Sequence, residues 1–358
     1  MKKKVVFLGF NSFLEHKRGV ENVIEFQASV LDDWCYYIHW GNVLKVYKYK
    51  SFLCISIPIR SIWKFVIISL VVRQIAKKSK ERIFIHSHNT LMSLFICRLT
   101  DLFTVHDGLF YQQSAQGCGR LKKCAFYVME KWLYKRCRKV HFISDFTKSQ
   151  SLYPSSLNNN VKIYNTSNFE IPVANFVPNY QTLCEKYPFL VDEKYCFIVR
   201  SLEERARIDL VIEVAQKYRD FLFVVAGKGP LLSSLQTDIE RKQINNVKLL
   251  GFVPDDDLFQ LYAFANFVMV PAEYGEGFGL PIIEAYLFNK PVIASKRCAI
   301  PEVCINDNYL FDNDVESILC AIEYCKTHGK ENFFEYYQNH FSQKIITEQY
   351  RQLYKECI

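Results

Sequence analysis

The sequence predicts an α/β protein built from two doubly wound, Rossmann-like domains, and three observations lead to this fold. The chain has 358 residues, more than one hydrophobic core of typical size holds, so two domains are expected. Short apolar runs, typical of buried parallel strands, alternate with segments of helical spacing. Glycine-containing loops follow several of these runs, as they do at the ligand-binding edge of doubly wound sheets.

The composition is that of a globular chain, since half of the residues are hydrophobic and 23% are charged. The 13 cysteines are scattered, without a C-x-x-C pair or histidines at zinc-binding spacing. The opening segment MKKKVVFLGF has a basic start, but its apolar run is too short for a secretory signal. We therefore expect reduced thiols and a cytoplasmic location.

Charge is divided unevenly along the chain. Residues 1–170 hold 26 Lys and Arg against 11 Asp and Glu, and residues 171–358 hold 19 against 26, so the halves carry net charges of +15 and −7. A basic half of this kind favours an anionic partner: a membrane surface, a lipid pyrophosphate or nucleic acid. A solvated basic face explains the same counts.

The stretch over residues 266–295 carries the strongest chemical signal. An apolar strand ending at Pro271 precedes a glycine-broken loop over 273–279, and a helix then starts near Pro281 and ends at Asn289. Two carboxylates, Glu276 and Glu284, bracket this element with seven residues between them. We expect both to face one crevice at the carboxyl end of a parallel sheet.

The string EGFGLPIIEA over 276–285 resembles the retaining glycosyltransferases of family 4, which have the GT-B fold. The resemblance implies two domains facing across a cleft, with a nucleotide diphosphate-sugar as donor and no metal ion or other cofactor. Glu276 would then bind the transferred sugar and Glu284 the ribose hydroxyls. Loop residues would contribute backbone amides to the diphosphate: Gly277, Phe278, Gly279 and Leu280.

In the first half, the strand KVVFLGF leads through a loop to a helix from Val20. Gly19 precedes this helix and keeps one glycine of the pair that the family has at its donor site. A later segment, SIWKFVIISLVVRQIAKKSK, is too short in its apolar part to span a membrane. A buried helix is the favoured interpretation. The alternative is docking to a membrane surface through a set of basic residues: Arg73, Lys77, Lys78 and Lys80.

Histidines follow two predicted strands of this half. His86 and His88 are two residues apart and so point to the same face, as a metal-binding pair would. Because no third ligand is near, a structural role is favoured over a metal pair. His106, in the string TVHD, resembles the family's histidine beside the donor sugar or acceptor. A satisfied core histidine is the alternative, and Asp107 would orient His106 or help to bind the acceptor.

A basic helix is predicted over residues 119–140, with Ser144 or Asp145 capping the next helix. Aromatic residues interleave with its lysines and arginines: Phe126, Tyr127, Trp132 and Tyr134. A helix with one buried aromatic face and one solvated basic face explains the pattern, and contact with an anionic membrane is the next interpretation. No nucleic-acid-binding module accompanies it, so no nucleic acid partner is expected.

The second domain begins with the strand YCFIVRS, which ends at Arg200. In the family an arginine here and a lysine a few residues later bind the donor diphosphate. Ala206 occupies the lysine position, so Arg205 or Arg207 is the predicted substitute.

Two further segments resemble the family's nucleotide-lining loops. They contain Gly227 and Gly229 in the string AGKGP, and Val253 in the string GFV, whose backbone would face the base. We place the domain boundaries at 1–168 and 169–340, with a C-terminal helix over 341–358 packing back on the first domain.

The prediction is a retaining hexosyltransferase that moves a sugar from a nucleotide diphosphate-sugar to a hydroxyl acceptor. The basic first domain favours a lipid-linked or surface-polysaccharide acceptor at the membrane face of bacteria. One alternative is a soluble transferase acting on a small metabolite or a protein. The other is a catalytically silent GT-B-like protein that binds polyanions.

Overall fold

A computed structural model describes residues 4–15, 19–31, 33–79, 82–96 and 100–357. These residues form two compact units. The first unit runs to Thr166 and takes in the chain again from Gln343, and the second runs from Ser167 to Ser342. Lys80, which entered the predictions above, lies outside the described residues.

The first unit contains, over the described residues, one eight-stranded sheet with the strand order β3-β4-β2-β1-β5-β6-β7-β8. Neighbouring strands are parallel except for the β3–β4 pair, which is antiparallel. The strands are β1 (Val5–Leu8), β2 (Cys35–Gly41), β3 (Lys45–Tyr49), β4 (Phe52–Pro58), β5 (Phe84–Ser87), β6 (Leu102–Val105), β7 (Lys139–Phe142) and β8 (Asn160–Lys162). The central strand β1, with the sequence VVFL, is buried along its whole length, as parallel strands covered on both faces are.

Helices lie between most of the parallel strands of this sheet, and one further helix at the end of the chain joins the same unit. They are α1 (Gly19–Ser29), α2 (Lys64–Ser79), α3 (Thr90–Ile96), α4 (Leu109–Ala115), α5 (Arg120–Arg136), α6 (Asp145–Gln150) and the C-terminal α16 (Gln343–Cys357). Helix α6 begins where its capping box predicts. Ser144 accepts from the backbone N–H of Thr147, and the Thr147 hydroxyl bonds back to the backbone of Ser144.

The C-terminal helix α16 packs on the first unit. Its buried face includes Ile346, Tyr350 and Leu353, which belong to the same apolar core as strands β1 and β2. A buried hydrogen bond from Gln27 of α1 to the Tyr350 hydroxyl, 2.9 Å long, adds a polar contact within that core.

The second unit contains, within its described residues, a six-stranded parallel sheet with the order β11-β10-β9-β12-β13-β14. Its strands are β9 (Tyr195–Val199), β10 (Leu222–Ala226), β11 (Val247–Gly251), β12 (Phe267–Val270), β13 (Val292–Ser295) and β14 (Leu310–Phe311). Its helices are α7 (Glu170–Ala174), α8 (Tyr180–Lys186), α9 (Ile208–Lys217), α10 (Leu232–Arg241), α11 (Asp255–Phe264), α12 (Leu280–Leu287), α13 (Ile300–Val303), α14 (Val315–His328) and α15 (Phe333–His340).

Helix α12 ends as predicted. Asn289 has a φ of 53°, the left-handed conformation that asparagine tolerates. Its backbone N–H donates to the Tyr286 carbonyl and that of Lys290 to the Ala285 carbonyl, so these two carbonyls of the last turn are satisfied.

The prediction of a buried aromatic face on the basic helix α5 is wrong. Of its four aromatic residues only Tyr134 is buried, whereas Tyr127 and Trp132 are each 39% exposed. The buried face is made by Glu130, Leu133 and Tyr134. The Glu130 carboxylate can be buried because it accepts hydrogen bonds from the Tyr134 hydroxyl, from a backbone N–H in the first turn of α4 and from one in the loop after α6.

The interpretation of α2 as a buried helix is only partly confirmed. Ile68, Val72 and Ile75 are buried, but Trp63 just before the helix and Leu70 within it are 63% and 58% exposed. The apolar residues of this segment therefore lie on two faces of the helix, one buried and one exposed. Among the described residues no helix combines the length and the apolar character needed to cross a bilayer.

Candidate functional site

The carboxyl edge of the second sheet brings the predicted donor-site residues together. Strand β9 lies between β10 and β12, so the chain continues to one side after β9 and to the other side after β11. This is the topological switch point at which open α/β sheets bind ligands. The loops that follow β9 and β12 there begin with Arg200 and with the segment 271–279.

The loop after β12 is shaped by glycines. Gly275 and Gly279 have φ values of 70° and 101°, which side-chain-bearing residues rarely adopt. Gly279 caps helix α12, which begins at Leu280 with Pro281 in its first turn. Gly277 and Phe278 complete the loop, and Phe278 is buried against the ring of Phe341. The N-terminal amides of α12 thus meet the carboxyl edge of the sheet, an arrangement that suits an anion.

Arg200 and Glu276 form an ion pair within this edge. The Nη1 of Arg200 donates to Oε2 of Glu276 at 2.5 Å, and both side chains are largely buried. The Nε of Arg200 is also buried and has no hydrogen-bond partner in the described part of the chain. A buried guanidinium with an unmatched N–H requires an explanation, and a bound anionic oxygen supplies one.

Glu284 is the fifth of the eight residues of α12 and accepts a hydrogen bond of 3.1 Å from the Tyr262 hydroxyl. Burial raises the pKa of Glu284 to about 7, although the Tyr262 hydroxyl acts in the opposite direction. The nearby carboxylates of Asp255 and Glu276 add to the increase. A carboxyl group poised near neutrality at a ligand-binding edge is typical of a functional residue.

The structure places Arg205 and Arg207 in hydrogen bonds with other groups. Arg205 donates to Glu203 at 2.9 Å and to the carbonyl of Gly275 at 2.8 Å. Arg207, in the left-handed conformation with a φ of 50°, donates to both carboxylate oxygens of Asp209 and to Glu273 at 2.6 Å. Ala206, at the position of the expected lysine, is buried between them.

The surface next to Arg207 is acidic. A crevice of about 520 Å³ is lined there by carboxylates that include Glu203, Glu204, Asp209 and Glu273. Four carboxylates against one guanidinium disfavour a diphosphate on that side, since like charges repel more strongly in a partly desolvated crevice. The arrangement favours Arg200 as the diphosphate ligand.

Gly227 and Gly229 let the loop after β10 approach the loop after β9. A Cβ atom on Gly227 would lie 1.8 Å from the Arg200 carbonyl oxygen, and one on Gly229 would lie 2.2 Å from that of Leu202. These glycines therefore hold the backbone of Arg200 in place, a role that their spacing alone did not indicate. Val253 is buried after β11.

Phe252 was not among the residues predicted to lie at the site surface. Its side chain is 68% exposed beside Val253, and the ammonium of Lys228 lies 5.2 Å from the centre of its ring. The apolar side chain within the string GFV does not by itself indicate exposure. The only signal was its position directly after a strand.

In the first unit, His106 follows β6 and is half-buried. Its Nε2 lies 2.8 Å from Nδ1 of the buried His88. Burial and, to a smaller degree, the nearby His141 lower the pKa of His106 to about 3. Gly19 is exposed at the first position of α1.

Glu21 of α1 was not among the predicted site residues. Its buried carboxylate accepts from the backbone N–H of Asn11 at 3.0 Å and so holds the loop that follows β1. His86 and His88 do not form a metal centre with other ligands: among the residues that the structure describes, no three His, Cys, Asp or Glu side chains converge to hold a metal ion.

Residues 180–333 match the family model described as "Glycosyl transferases group 1". The matched segment holds Arg200, the glycine turn at Gly227, Glu276 and Glu284. The predicted enzyme class, a glycosyltransferase, agrees with this match.

Among curated proteins, "O-antigen chain mannosyltransferase B" of Escherichia coli is 29% identical over 213 residues, 54% of each chain. "O-antigen chain mannosyltransferase RfbU" of Salmonella typhimurium is 28% identical over 262 residues, 71% of this chain and 67% of the relative. The chain thus spans about half the length of the first of these relatives and two thirds of the second.

Solved structures of similar fold include the sucrose-phosphate synthase of Thermosynechococcus elongatus, with a TM-score of 0.80, 17% identity and coverage of 99% and 98%. The Anabaena protein HepE in complex with UDP and glucose has a TM-score of 0.79, 17% identity and coverage of 99% of both chains. WaaG, a glycosyltransferase involved in lipopolysaccharide biosynthesis, has a TM-score of 0.73 and 16% identity, with coverage of 96% and 98%. The predicted fold class, GT-B, is confirmed.

Proposed function

We propose that the protein transfers a sugar from a nucleotide diphosphate-sugar to a hydroxyl acceptor and retains the anomeric configuration. The observation that carries this proposal is the pair of Arg200 and Glu276, with its unmatched buried N–H, beside the N-terminus of α12. The match to group 1 glycosyl transferases and the UDP complex of HepE support the choice of donor.

The residues divide into three roles. Arg200 binds the diphosphate together with the amides at the start of α12, because both supply positive charge to phosphate oxygens. Glu276 accepts hydrogen bonds from hydroxyls of the transferred sugar through the oxygen that Arg200 does not use. Glu284 accepts from the two ribose hydroxyls, and its carboxylate form is the one that can accept both.

In the reaction the bond between the anomeric carbon and the diphosphate oxygen breaks. The bond to the acceptor oxygen forms on the same face, and the acceptor's proton leaves with the diphosphate. Arg200 stabilises the charge that develops on the departing diphosphate, an electrostatic effect that is often the largest single contribution to catalysis. The side chains named here need no metal ion for this role.

Calorimetric titration with UDP, GDP, ADP and CMP tests the donor site. We expect micromolar binding of one nucleotide to the wild-type protein and at least tenfold weaker binding to Glu284→Ala. Glu316→Ala is the control, because Glu316 is also a helical glutamate but is exposed, in the opening turn of α14. Absence of binding by all four nucleotides to the folded protein would contradict the proposed donor site.

We further propose that the acceptor is lipid-linked or part of a surface polysaccharide and is met at an anionic membrane face. The supporting observation is an exposed apolar stripe at helical spacing that comprises Ile62, Trp63, Val66 and Leu70 and leads into Arg73 and Lys77 of α2. Exposed apolar residues next to basic ones suit the boundary between lipid headgroups and acyl chains. Several relatives act, by name, in O-antigen synthesis.

Vesicle sedimentation tests this part of the proposal. The double variant Trp63→Ser, Leu70→Ser should lose binding to vesicles rich in phosphatidylglycerol, and charge reversal at Lys122 and Lys123 of α5 should weaken it and lower membrane-dependent activity. Val177→Ser, at an even more exposed apolar position of the second unit, is the control.

Nucleotide binding should stay unchanged in all of these variants. If vesicle binding and activity are unchanged in these variants, the alternative of a soluble transferase is favoured over action at a membrane. Vesicle binding without any nucleotide binding would instead favour the polyanion-binding alternative.

A further inference from the structure

A buried hydrogen-bonded chain in the first unit has a direction that the structure determines. Nε2 of His141 lies 2.9 Å from the carbonyl oxygen of Ile163, which only accepts, so His141 donates there. Burial lowers the pKa of His141 to about 4, so its ring is neutral and carries a single N–H. Its Nδ1, 2.9 Å from the Thr104 hydroxyl, therefore accepts the hydroxyl hydrogen.

The chain continues to His86 in the same direction. Because the hydrogen of Thr104 is used, its oxygen accepts from Nε2 of His86 at 2.7 Å. His86 is also neutral, since burial lowers its pKa, and its Nδ1 accepts from the Tyr354 hydroxyl at 3.0 Å. Both ring nitrogens of His86 are therefore engaged, and neither is available to His88 although the ring centres are 4.6 Å apart.

His88 and His106 form a second hydrogen-bonded pair, separate from the chain that contains His86. Nδ1 of His88 and Nε2 of His106 are 2.8 Å apart, and one of them must carry the hydrogen. Nε2 of His88 is buried and has no hydrogen-bond partner within the described residues. Burial lowers the pKa of both rings, so each carries one N–H at neutral pH.

Two arrangements of the ring hydrogens are compatible with the 2.8 Å contact between His88 and His106, and they differ in which buried polar group is left without a partner. If His106 donates, the N–H of His88 moves to its buried Nε2, where the described residues offer no acceptor. If His88 donates, only a lone pair remains at that atom. Buried N–H groups without a partner are rarer in proteins than acceptors that are not fully satisfied. The second arrangement is therefore favoured.

We propose that His88 is a positioning residue: it donates its Nδ1–H to Nε2 of His106 and so fixes His106 as the tautomer with its hydrogen on Nδ1. This inference rests on the proposed function and on the role that the family resemblance implies for His106, contact with an oxygen of the sugar or the acceptor. In this tautomer His106 offers a hydrogen-bond donor to that oxygen. It has no free lone pair with which to take the acceptor's proton, so it orients a hydroxyl and does not act as a base.

Long-range ¹H–¹⁵N correlation spectra of the full chain with ¹⁵N-labelled histidine test the tautomer without any substrate. We expect His106 and His88 both to carry their hydrogen on Nδ1 at neutral pH. Detection of the hydrogen on Nε2 of His106 would overturn the inference. Because no ligand is present, this outcome does not depend on whether the proposed function is correct.

Two variants extend the test to activity. His88→Phe keeps a ring but removes the donor, so Nε2 of His106 becomes free to carry the hydrogen; we expect the Nε2–H tautomer and a kcat reduced at least tenfold. His88→Asn places an amide N–H where Nδ1 was, so it should restore the Nδ1–H tautomer and most of kcat. A merely structural role would leave the tautomer of His106 unchanged in His88→Phe.

His39→Phe is the matched control, because His39 is a buried histidine of the same unit with its own partners in Trp40 and Tyr47. It should leave the His106 spectrum and kcat unchanged. Nucleotide binding should remain in every variant. A wild-type protein that binds no nucleotide would refute the proposed function and leave the tautomer result standing, and unchanged kcat in His88→Phe would refute the positioning role.

Discussion

The guanidinium of Arg200 donates to the carboxylate of Glu276, and the two side chains are 7% and 14% exposed. Each group therefore neutralises the charge of the other at the carboxyl edge of the second sheet. Removing one partner of a largely buried pair leaves the other without compensation, which costs much more than the pair itself contributes. This relationship leads to the first prediction.

Glu276→Gln should separate binding from transfer. The amide keeps the shape and can still accept from Arg200, but it no longer neutralises the guanidinium, so nucleoside diphosphate affinity should stay equal or increase. We expect kcat to fall by about 10²–10³, the range found when one transition-state contact is removed. Arg200→Gln should have the opposite effect on nucleotide affinity and weaken nucleotide binding at least tenfold. Calorimetry and steady-state kinetics on both variants check this, and equal losses of affinity would contradict it.

The raised pKa of Glu284 predicts a pH dependence of nucleotide binding. The carboxylate form, which accepts from both ribose hydroxyls, predominates only above a pKa of about 7, so affinity should fall as the pH decreases from 8 to 6. Tyr262→Phe removes the hydrogen bond that lowers this pKa, so the decline should shift to higher pH. Titration calorimetry across that range measures both effects, and a pH-independent affinity would show that Glu284 binds no ribose.

Arg207 is expected to stabilise the fold without binding the donor. Its guanidinium is occupied by Asp209 and Glu273, and the loop after β12 is tied to the start of α9 through it. Arg207→Ala should leave the nucleotide affinity within about twofold of wild type and lower the free energy of unfolding by about 1 kcal/mol, typical of a partly exposed ion pair. Urea unfolding with parallel calorimetry tests this, and a tenfold loss of affinity would restore Arg207 as a diphosphate ligand.

Gly227 and Gly251 allow a matched comparison of space and backbone strain. Both have positive φ, but a Cβ on Gly227 would lie 1.8 Å from the Arg200 carbonyl, whereas one on Gly251 would have no neighbour within 4 Å. Gly251→Ala should cost about 1–2 kcal/mol of stability, from the left-handed backbone alone. Gly227→Ala should also displace Arg200 and abolish nucleotide binding. Equal effects of the two substitutions on binding would show that the close approach is unimportant.

The local sequence determined the element around Glu276 and Glu284. Apolar runs, glycines and the Asn289–Lys290–Pro291 ending specify strand, loop and helix over a few residues, because these signals act through backbone conformation and do not depend on distant parts of the chain. The same reasoning predicted the helices α1 and α5, the strand β9 and the packing of α16 on the first unit. It gave no prediction for the strands β2 and β3 or for the short helices α7 and α8.

Tertiary structure alone decided which charged and polar groups meet. Arg205 and Arg207 are adjacent candidates in sequence, yet only the approach of the loop after β12 brings Glu273 and the Gly275 carbonyl to them and leaves Arg200 with an unmatched N–H. The contact between His88 and His106 likewise requires β5 and β6 to be neighbours in the sheet. Local patterns set the backbone of a segment, whereas the partner of a side chain depends on which distant segment the sheet order places beside it.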